Sequence, residues 1–350
     1  MSVALFARYP GLRSRLPWLP LATLPTPVEE WTPPADFRGR LFVKRDDLTA
    51  SLYGGNKVRK FEYLFAAARQ RDARALVTLG GLGTNQGLAL ALHGRAQGFA
   101  VEVALAPQPV TPDVRANLRG LLAAGAALRY ARSGPACLWK AWRAVRARRK
   151  AGERPFYIPA GASTPLSTIG YVAAALELAA QIEQGQLPVP DRIFVAAGTC
   201  GTAAGLVAGC KLAQLPTRVT AVRVFAAYRA NRWTIARLAR GAVQLLRDCE
   251  PGIPDIPISR GDFDLLTGFL GPGYGAPTPP ARAAIAWAAP RAPLETTYTG
   301  KALAACLAAG TAAAGAPAFL FWNTYNSAAF PQTADLAAAP VALRTVLTGP

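Results

Sequence analysis

Lys57 stands in the run SLYGGNKVRKFEY (51–63), directly after Gly54, Gly55 and Asn56. Val58, Phe61 and Leu64 follow it at helical spacing, so the glycine turn predicts a helix entered close to Lys57. A lysine is ordinarily a solvated surface charge, and the positive end of a helix dipole disfavours a further cation. The position suits an amine that works uncharged, as a Schiff-base nucleophile does. Taken by itself, the same segment also reads as an exposed loop lysine.

A second run with chemical content is AAGTCGTAAG (196–205), which follows a strand pattern and opens a helix pattern. Backbone N–H groups and the helix dipole converge at such a junction. Gly198 and Gly201, with the hydroxyls of Thr199 and Thr202, would hold a dianionic phosphate there; an ordinary strand–helix turn favours the same residue types. GTNQG (83–87) forms another junction of this kind, and alone its Thr84, Asn85 and Gln86 read as a helix cap. Tyr274 in GYG and Tyr298 in TYTGK, read alone, are half-buried packing residues.

Other chemistries are disfavoured by what is sparse. The cysteines Cys137, Cys200, Cys210, Cys249 and Cys306 are scattered, no CxxC pair occurs, and His93 is the sole histidine. That argues against a metal site of the zinc type and for a reducing, cytoplasmic compartment. No uninterrupted apolar stretch reaches the roughly 18 residues that span a bilayer, and arginines and prolines break up the first twenty residues, so neither a membrane span nor a signal peptide is expected. The formal net charge is +19, a value that invites a polyanion. Most of that charge is arginine spread along the chain. The dense patch WKAWRAVRARRKAGER (139–154) reads as a helix with a solvated basic face, with no recognised nucleic-acid motif around it.

These residues need elements to hold them. Strand-like runs at 76–80, 101–107, 127–132, 192–198, 220–228 and 319–323 alternate with alanine-rich helical runs, one of them from about Gly87 to Gln97. That is the pattern of a parallel α/β sheet with crossover helices, and 350 residues suffice for two domains.

LFVKRDDLTASLYGGNKVRKFEYL (41–64) resembles the cofactor-lysine segment of the aminocyclopropane-carboxylate deaminase and D-cysteine desulfhydrase family. These are fold-type-II pyridoxal-phosphate enzymes related to the tryptophan synthase β-subunit. The resemblance continues in order through GGLGTNQG (80–87), PAGASTPLSTIGY (159–171), VAAGTCGTAAGL (195–206), GPGYGAPTP (271–279) and TTYTGKA (296–302). It implies two α/β domains, each a mostly parallel sheet flanked by helices. Residues 1–51 and 165–350 would form the larger, cofactor-anchoring domain, with Thr26, Pro27 and Val28 on its entry strand, and 52–164 the smaller inserted one.

The resemblance also implies roles. Lys57 would bind pyridoxal 5'-phosphate and move the substrate's α-proton. Asn85 would hydrogen-bond the cofactor's 3'-oxygen, and Thr84 stands where the family has a serine that contacts substrate. Gln86 and nearby N–H groups would take the substrate carboxylate, and Tyr274 and Tyr298 would face the substrate. The phosphate loop carries Cys200 where the family usually has glycine. Thr299 and Thr324 match the desulfhydrase branch, whose hydroxyls face the ring nitrogen, whereas Asn323-Thr324-Tyr325-Asn326 replaces the usual His-Thr-Gly-Gly. The implied activity is β-elimination from D-cysteine to pyruvate, ammonia and sulfide by a homodimer. Ring-opening deamination of aminocyclopropane carboxylate, another β-elimination or replacement, a cofactor-binding relative without catalysis, and a basic polyanion-binding protein are the alternatives.

Overall fold

Strands rich in Val, Leu and Phe alternate with capped helices along the whole chain. The structure is a computed structural model and describes residues 3–348. In chain order it contains α1 (Ala4–Arg8), α2 (Leu12–Arg15), β1 (Val28–Trp31), β2 (Arg40–Arg45), α3 (Asn56–Gln70), β3 (Ala75–Gly81), α4 (Asn85–Ala96), β4 (Ala100–Ala106), α5 (Pro112–Ala123), β5 (Ala127–Tyr130) and α6 (Gly134–Lys150). There follow β6 (Pro155–Tyr157), α7 (Pro165–Glu183), β7 (Arg192–Ala197), α8 (Gly201–Leu212), β8 (Arg218–Arg223), α9 (Arg232–Cys249), β9 (Asp264–Leu266), α10 (Pro279–Ala288), α11 (Thr299–Thr311), β10 (Ala318–Asn323) and α12 (Val341–Thr348). Helix starts follow local chemistry. The side chains of Thr111, Ser133, Thr164 and Thr278 each accept a hydrogen bond from a first-turn N–H, with proline at one of the first two helical positions.

The chain divides into two compact units, residues 3–63 with 163–327 and residues 64–162 with 328–348. The first unit holds a six-stranded sheet, ordered β1-β2-β10-β7-β8-β9. Only β1 runs antiparallel to its neighbour. Alternating residues serve its two faces. Phe42, Ile193, Val195, Leu320 and Trp322 join the core under α7, α8 and α9, while Leu41, Val43, Phe194, Phe319 and Phe321 join the core under α10 and α11. The second unit holds a four-stranded parallel sheet, β5-β4-β3-β6. There Val101 and Val103 meet α4, and Ala104 meets Cys137 and Ala141 of α6.

The α/β class and the two mostly parallel sheets agree with the expectation. Several boundaries differ. The strand expected at 220–228 ends at Arg223, because its neighbour β7 ends opposite at Ala197 and β9 pairs only through Leu266. The basic helix expected over 139–154 runs Gly134–Lys150, begun by the Ser133 cap and stopped before Gly152, whose φ is +77°. Residues 328–348, expected in the larger domain, pack in the second unit, where Arg115 and Arg119 of α5 donate to carbonyls of α12. Helix α7 is long and apolar enough to span a bilayer by length and composition, its isolated polar residues notwithstanding, and 78% of that stretch is buried inside the fold. It packs so closely on α8 that a Cβ on Gly205 would lie 2.4 Å from Tyr171 Cβ and 2.5 Å from Thr168 O.

A buried polar cluster ties the first unit together. Asp46 accepts from Thr26 Oγ1 (2.9 Å), Arg59 (2.8 and 3.1 Å), Tyr171 OH (2.7 Å) and Trp322 Nε1 (2.7 Å). Glu177 accepts from Arg59 and from Lys44 Nζ (2.6 Å), and Lys44 also donates to Gln181 and to the Thr26 carbonyl. Burial would raise the Glu177 carboxyl, but the charges of Arg59 and Lys44 override it and hold it at about 2. Removing one member of such a cluster strands the others. Asp46→Ala is expected to lower unfolding stability by about 3–5 kcal/mol, read from urea denaturation; a loss below about 1 kcal/mol would show the cluster to be energetically slack.

Candidate active site

The first unit builds its site on the turn before α3. The glycines are there for want of room: a Cβ on Gly54 would lie 2.0 Å from Asp47 O, and one on Gly55 (φ +92°) would lie 2.2 Å from Tyr325 O. The turn is bound by Gly54 N to Asn326 Oδ1 (2.6 Å), Gly55 N to Asp46 O (2.9 Å) and Asn56 N to Thr324 O (3.2 Å). Asn326 therefore anchors the turn from the segment in which the family's usual glycines are replaced. Lys57 follows on the first turn of the helix, its Nζ 2.6 Å from Asn56 Oδ1. Burial lowers the Lys57 amine to about 8, against an upward pull from the Glu295 carboxylate.

Opposite this turn lies the junction of β7 and α8. Ser163 Oγ and Thr199 Oγ1 are 2.8 Å apart, Lys60 Nζ lies 3.4 Å from Ser163 Oγ, and Asn56 Nδ2 donates to Thr202 Oγ1 (3.0 Å). A Cβ on Gly201 would sit 2.6 Å from Ser163 Oγ and 3.0 Å from Lys60 Nζ, so the glycine leaves a small cradle of hydroxyl, ammonium and helix N-terminus. Lys60 is 1% exposed, and burial, then the neighbouring Lys57 charge, pushes its amine well below the ordinary value. Cys200 takes the left-handed conformation (φ +70°), at a cost of roughly 1–2 kcal/mol for an L-residue. Its thiol lies 3.7 Å from Arg229 O, and burial raises it to about 11, so it is no nucleophile.

Tyr274 and Tyr298 meet hydroxyl to hydroxyl at 2.5 Å, and a Cβ on Gly198 would lie 3.2 Å from the Tyr298 ring. Burial raises Tyr274 to about 12 and Tyr298 well above its ordinary value, so both phenols stay protonated and one proton of the pair remains to be donated elsewhere. Thr299 is 1% exposed and engaged: it accepts from Glu295 N (3.0 Å) and lies 3.2 Å from Glu295 Oε1. That carboxylate also accepts from the N–H groups of Thr297, Tyr298 and Thr299, capping α11. Asn323 Nδ2 is buried without a hydrogen-bond partner among the described residues.

The second unit places Thr84, Asn85 and Gln86 at the start of α4. Thr84 Oγ1 accepts from Gly87 N (3.1 Å), the capping role. Gln86 donates both amide hydrogens inward, to Thr78 Oγ1 (2.8 Å) and Pro159 O (3.1 Å), so its side chain has none left for the substrate carboxylate expected of it. Asn85 Oδ1 accepts from Asn117 (2.6 Å), so its own amide hydrogens remain to donate.

Lys57, Gly198, Thr199, Cys200, Gly201, Thr202, Tyr274, Tyr298, Thr299 and Thr324 thus all lie in the first unit, and Thr84, Asn85 and Gln86 in the second. Sequence reasoning missed Asn56, Lys60 and Ser163, because only the folded chain brings residues 56–60, 163 and 199–202 together. It missed Glu295 although an acidic residue just ahead of a helix is a readable cap. Chemically, the first unit offers a desolvated amine beside an anion cradle, the requirements of a phosphorylated aldehyde.

A family model described as "Pyridoxal-phosphate dependent enzyme" matches residues 19–320. Nocardicin C-9' epimerase of Nocardia uniformis subsp. tsuyamanensis is 36% identical over 272 residues, 76% of this chain and 79% of that protein. D-cysteine desulfhydrase of Klebsiella pneumoniae (strain 342) is 31% identical over 302 residues, 83% of this chain and 88% of that one. The crystal structure of an ACC deaminase homologue superposes with a TM-score of 0.79 at 26% identity, covering 94% of this chain and 97% of that chain. The residues present suit the group these similarities bring: Lys57 for the aldehyde of pyridoxal phosphate, and Ser163, Thr199, Gly201, Thr202 and Lys60 for its phosphate.

Two outcomes follow from this geometry. Only the neutral amine is nucleophilic, so capture of pyridoxal phosphate by cofactor-free protein should speed up as pH rises through about 8 and then level off. Borohydride reduction and peptide mapping should then mark Lys57; a midpoint near the ordinary lysine value, or a mark on Lys60, would overturn the assignment. Gly201→Asp puts a carboxylate into the cradle, where like charges at close range repel by about 4 kcal/mol. The folded variant should lose the cofactor's visible absorbance after dialysis, and full retention would move the phosphate elsewhere.

Proposed function

Because the chain belongs to the family of pyridoxal-phosphate dependent enzymes, we propose that it removes the α-proton of a small D-amino acid and expels its β-substituent, with D-cysteine as the type substrate. It is an enzyme of the aminocyclopropane-carboxylate deaminase and D-cysteine desulfhydrase group, and pyridoxal phosphate is its cofactor. The observation that carries the reading is the desolvated Lys57 amine beside the Ser163–Thr199–Gly201 cradle. Bound there, the cofactor supplies the electron sink that makes an amino acid's Cα–H acidic.

The chain's own groups do the rest. Lys57 Nζ takes the α-proton, and its depressed pKa keeps a usable fraction of base near neutral pH. On the second unit, Asn85 keeps its amide hydrogens available because Asn117 donates to its carbonyl, and it would be the donor for the cofactor's 3'-oxygen. On the same unit, the backbone N–H groups around Thr84–Gln86 are the candidates for a carboxylate, and the Thr84 hydroxyl hydrogen stays available beside its capping bond. The Tyr274–Tyr298 pair lends a proton toward the departing thiolate. In balance, D-cysteine and water give pyruvate, ammonia and hydrogen sulfide. Thr324 stands for the ring-nitrogen contact in this reading, because the Thr299 hydroxyl is taken up by Glu295. A homodimer in a reducing compartment goes with it, and all five cysteines are free thiols.

A second reading is favoured by the similarity to nocardicin C-9' epimerase, the relative at 36% identity. It shares the α-proton removal and returns a proton to the opposite face instead of expelling a β-group. One panel separates the two. D-cysteine and β-chloro-D-alanine should yield pyruvate faster than aminocyclopropane carboxylate yields 2-oxobutanoate. Exchange of the α-hydrogen with deuterated solvent and inversion of an amino acid lacking a leaving group, without pyruvate from the β-substituted substrates, would replace elimination by epimerisation. Faster ring opening would replace it by deamination.

A further inference from the structure

The basic helix α6 borders a cavity of about 480 Å³ that lies wholly within the second unit. Strand β5 supplies Arg129 and Tyr130 to it, α6 supplies Trp139, Lys140 and Arg143, and the entrance to α12 supplies Val341. Its volume falls within the range of small-ligand sites. Among the described residues three cations line it, and no aspartate or glutamate does.

Those cations are poorly neutralised. Arg129 is bound through Nε to Glu102, but that carboxylate also holds Arg148, and among the described residues the Arg129 Nη groups make no hydrogen bond. Lys140 Nζ donates to the Tyr130 carbonyl, which leaves two of its three ammonium hydrogens. Arg143 stacks over the Trp139 ring at 4.8 Å and, among the described residues, has no hydrogen-bond or acidic partner. A concave site lined by like charges focuses positive potential and draws an anion into it. The wall beside that charge is apolar: Trp139 is 52% and Val341 76% exposed, amounts of apolar surface that a bound ring would cover.

We propose that this cavity is a binding site for a small aromatic anion, a phosphate or carboxylate held by Arg129, Lys140 and Arg143 with its ring against Trp139. The exposed run of α6 continues with Trp142, 52% exposed and carrying Arg146 at 4.9 Å, a face that a single-stranded nucleic acid would also suit. The cavity favours the small ligand, because a polyanion lying along the helix needs no concave site.

Calorimetric titration of the cofactor-loaded protein tests this with phenyl phosphate, inorganic phosphate and phenol as probes. Phenyl phosphate should bind about fivefold tighter than inorganic phosphate, and phenol should not bind. Lys140→Gln combined with Arg143→Gln, checked for an unchanged circular dichroism spectrum, should weaken both phosphates about tenfold or more. Trp139→Ala should erase the advantage of the ring and leave inorganic phosphate unaffected. Equal affinity in the double variant, or no advantage of phenyl phosphate over phosphate, would overturn the site. Displacement of phenyl phosphate by a short oligothymidylate that binds more tightly would overturn it in favour of a polyanion surface.

Discussion

Arg59 governs the first unit. It sits on α3 two residues beyond Lys57, is 1% exposed, and is held by Asp46 and Glu177 at 2.8–3.1 Å. A buried guanidinium is tolerable only where geometry satisfies its fork of donors. That requirement fixes the roll and depth of the helix, and with them the direction of Lys57 and Lys60. The same two carboxylates bind Lys44 of β2, Tyr171 of α7 and Trp322 of β10. The scaffold is neutral in sum, two cations against two anions, so it locates the reactive amine without adding net charge beneath it.

The amine's reactivity is set by different neighbours. Lys60 is three residues along the helix and so on the same side as Lys57. Burial lowers both amines, and for Lys60 the nearby Lys57 charge adds to it. Glu295 moderates this from the start of α11, where its carboxylate is already engaged by three N–H groups. A carboxylate so held is fixed in place and cannot swing over to neutralise the lysine outright. An anion arriving in the Gly201 cradle would favour the charged form of Lys60 and relieve its proximity to Lys57.

Much of this was legible in the chain. The glycine–asparagine–lysine turn, the Gly-Thr-Cys-Gly-Thr loop and the alternation of strand and helix each act within a dozen residues, where turn sterics and capping decide. What the sequence hid depends on long-range meetings. Ser163 gains meaning only from standing 2.8 Å from Thr199, and Thr299 changes meaning because Glu295 binds it from both sides. Gln86 looked like a ligand group, yet its amide faces Thr78 and Pro159. Strand ends were lost for the same reason: β8 stops where its partners stop, which propensity over 224–228 does not encode.

The strand order has a consequence for synthesis. In the first unit β10 lies between β2 and β7, although it is the last of the described strands to be made. Until residues 318–323 emerge from the ribosome, β2 has a neighbour on one side only and Asp46 lacks the indole of Trp322. The apolar α7 is exposed for part of that interval, its burial completed by helices that follow it in the chain. A nascent chain of this topology therefore carries an unfinished half-sheet through most of its translation, with apolar surface and an unpaired strand edge open until the late strand arrives.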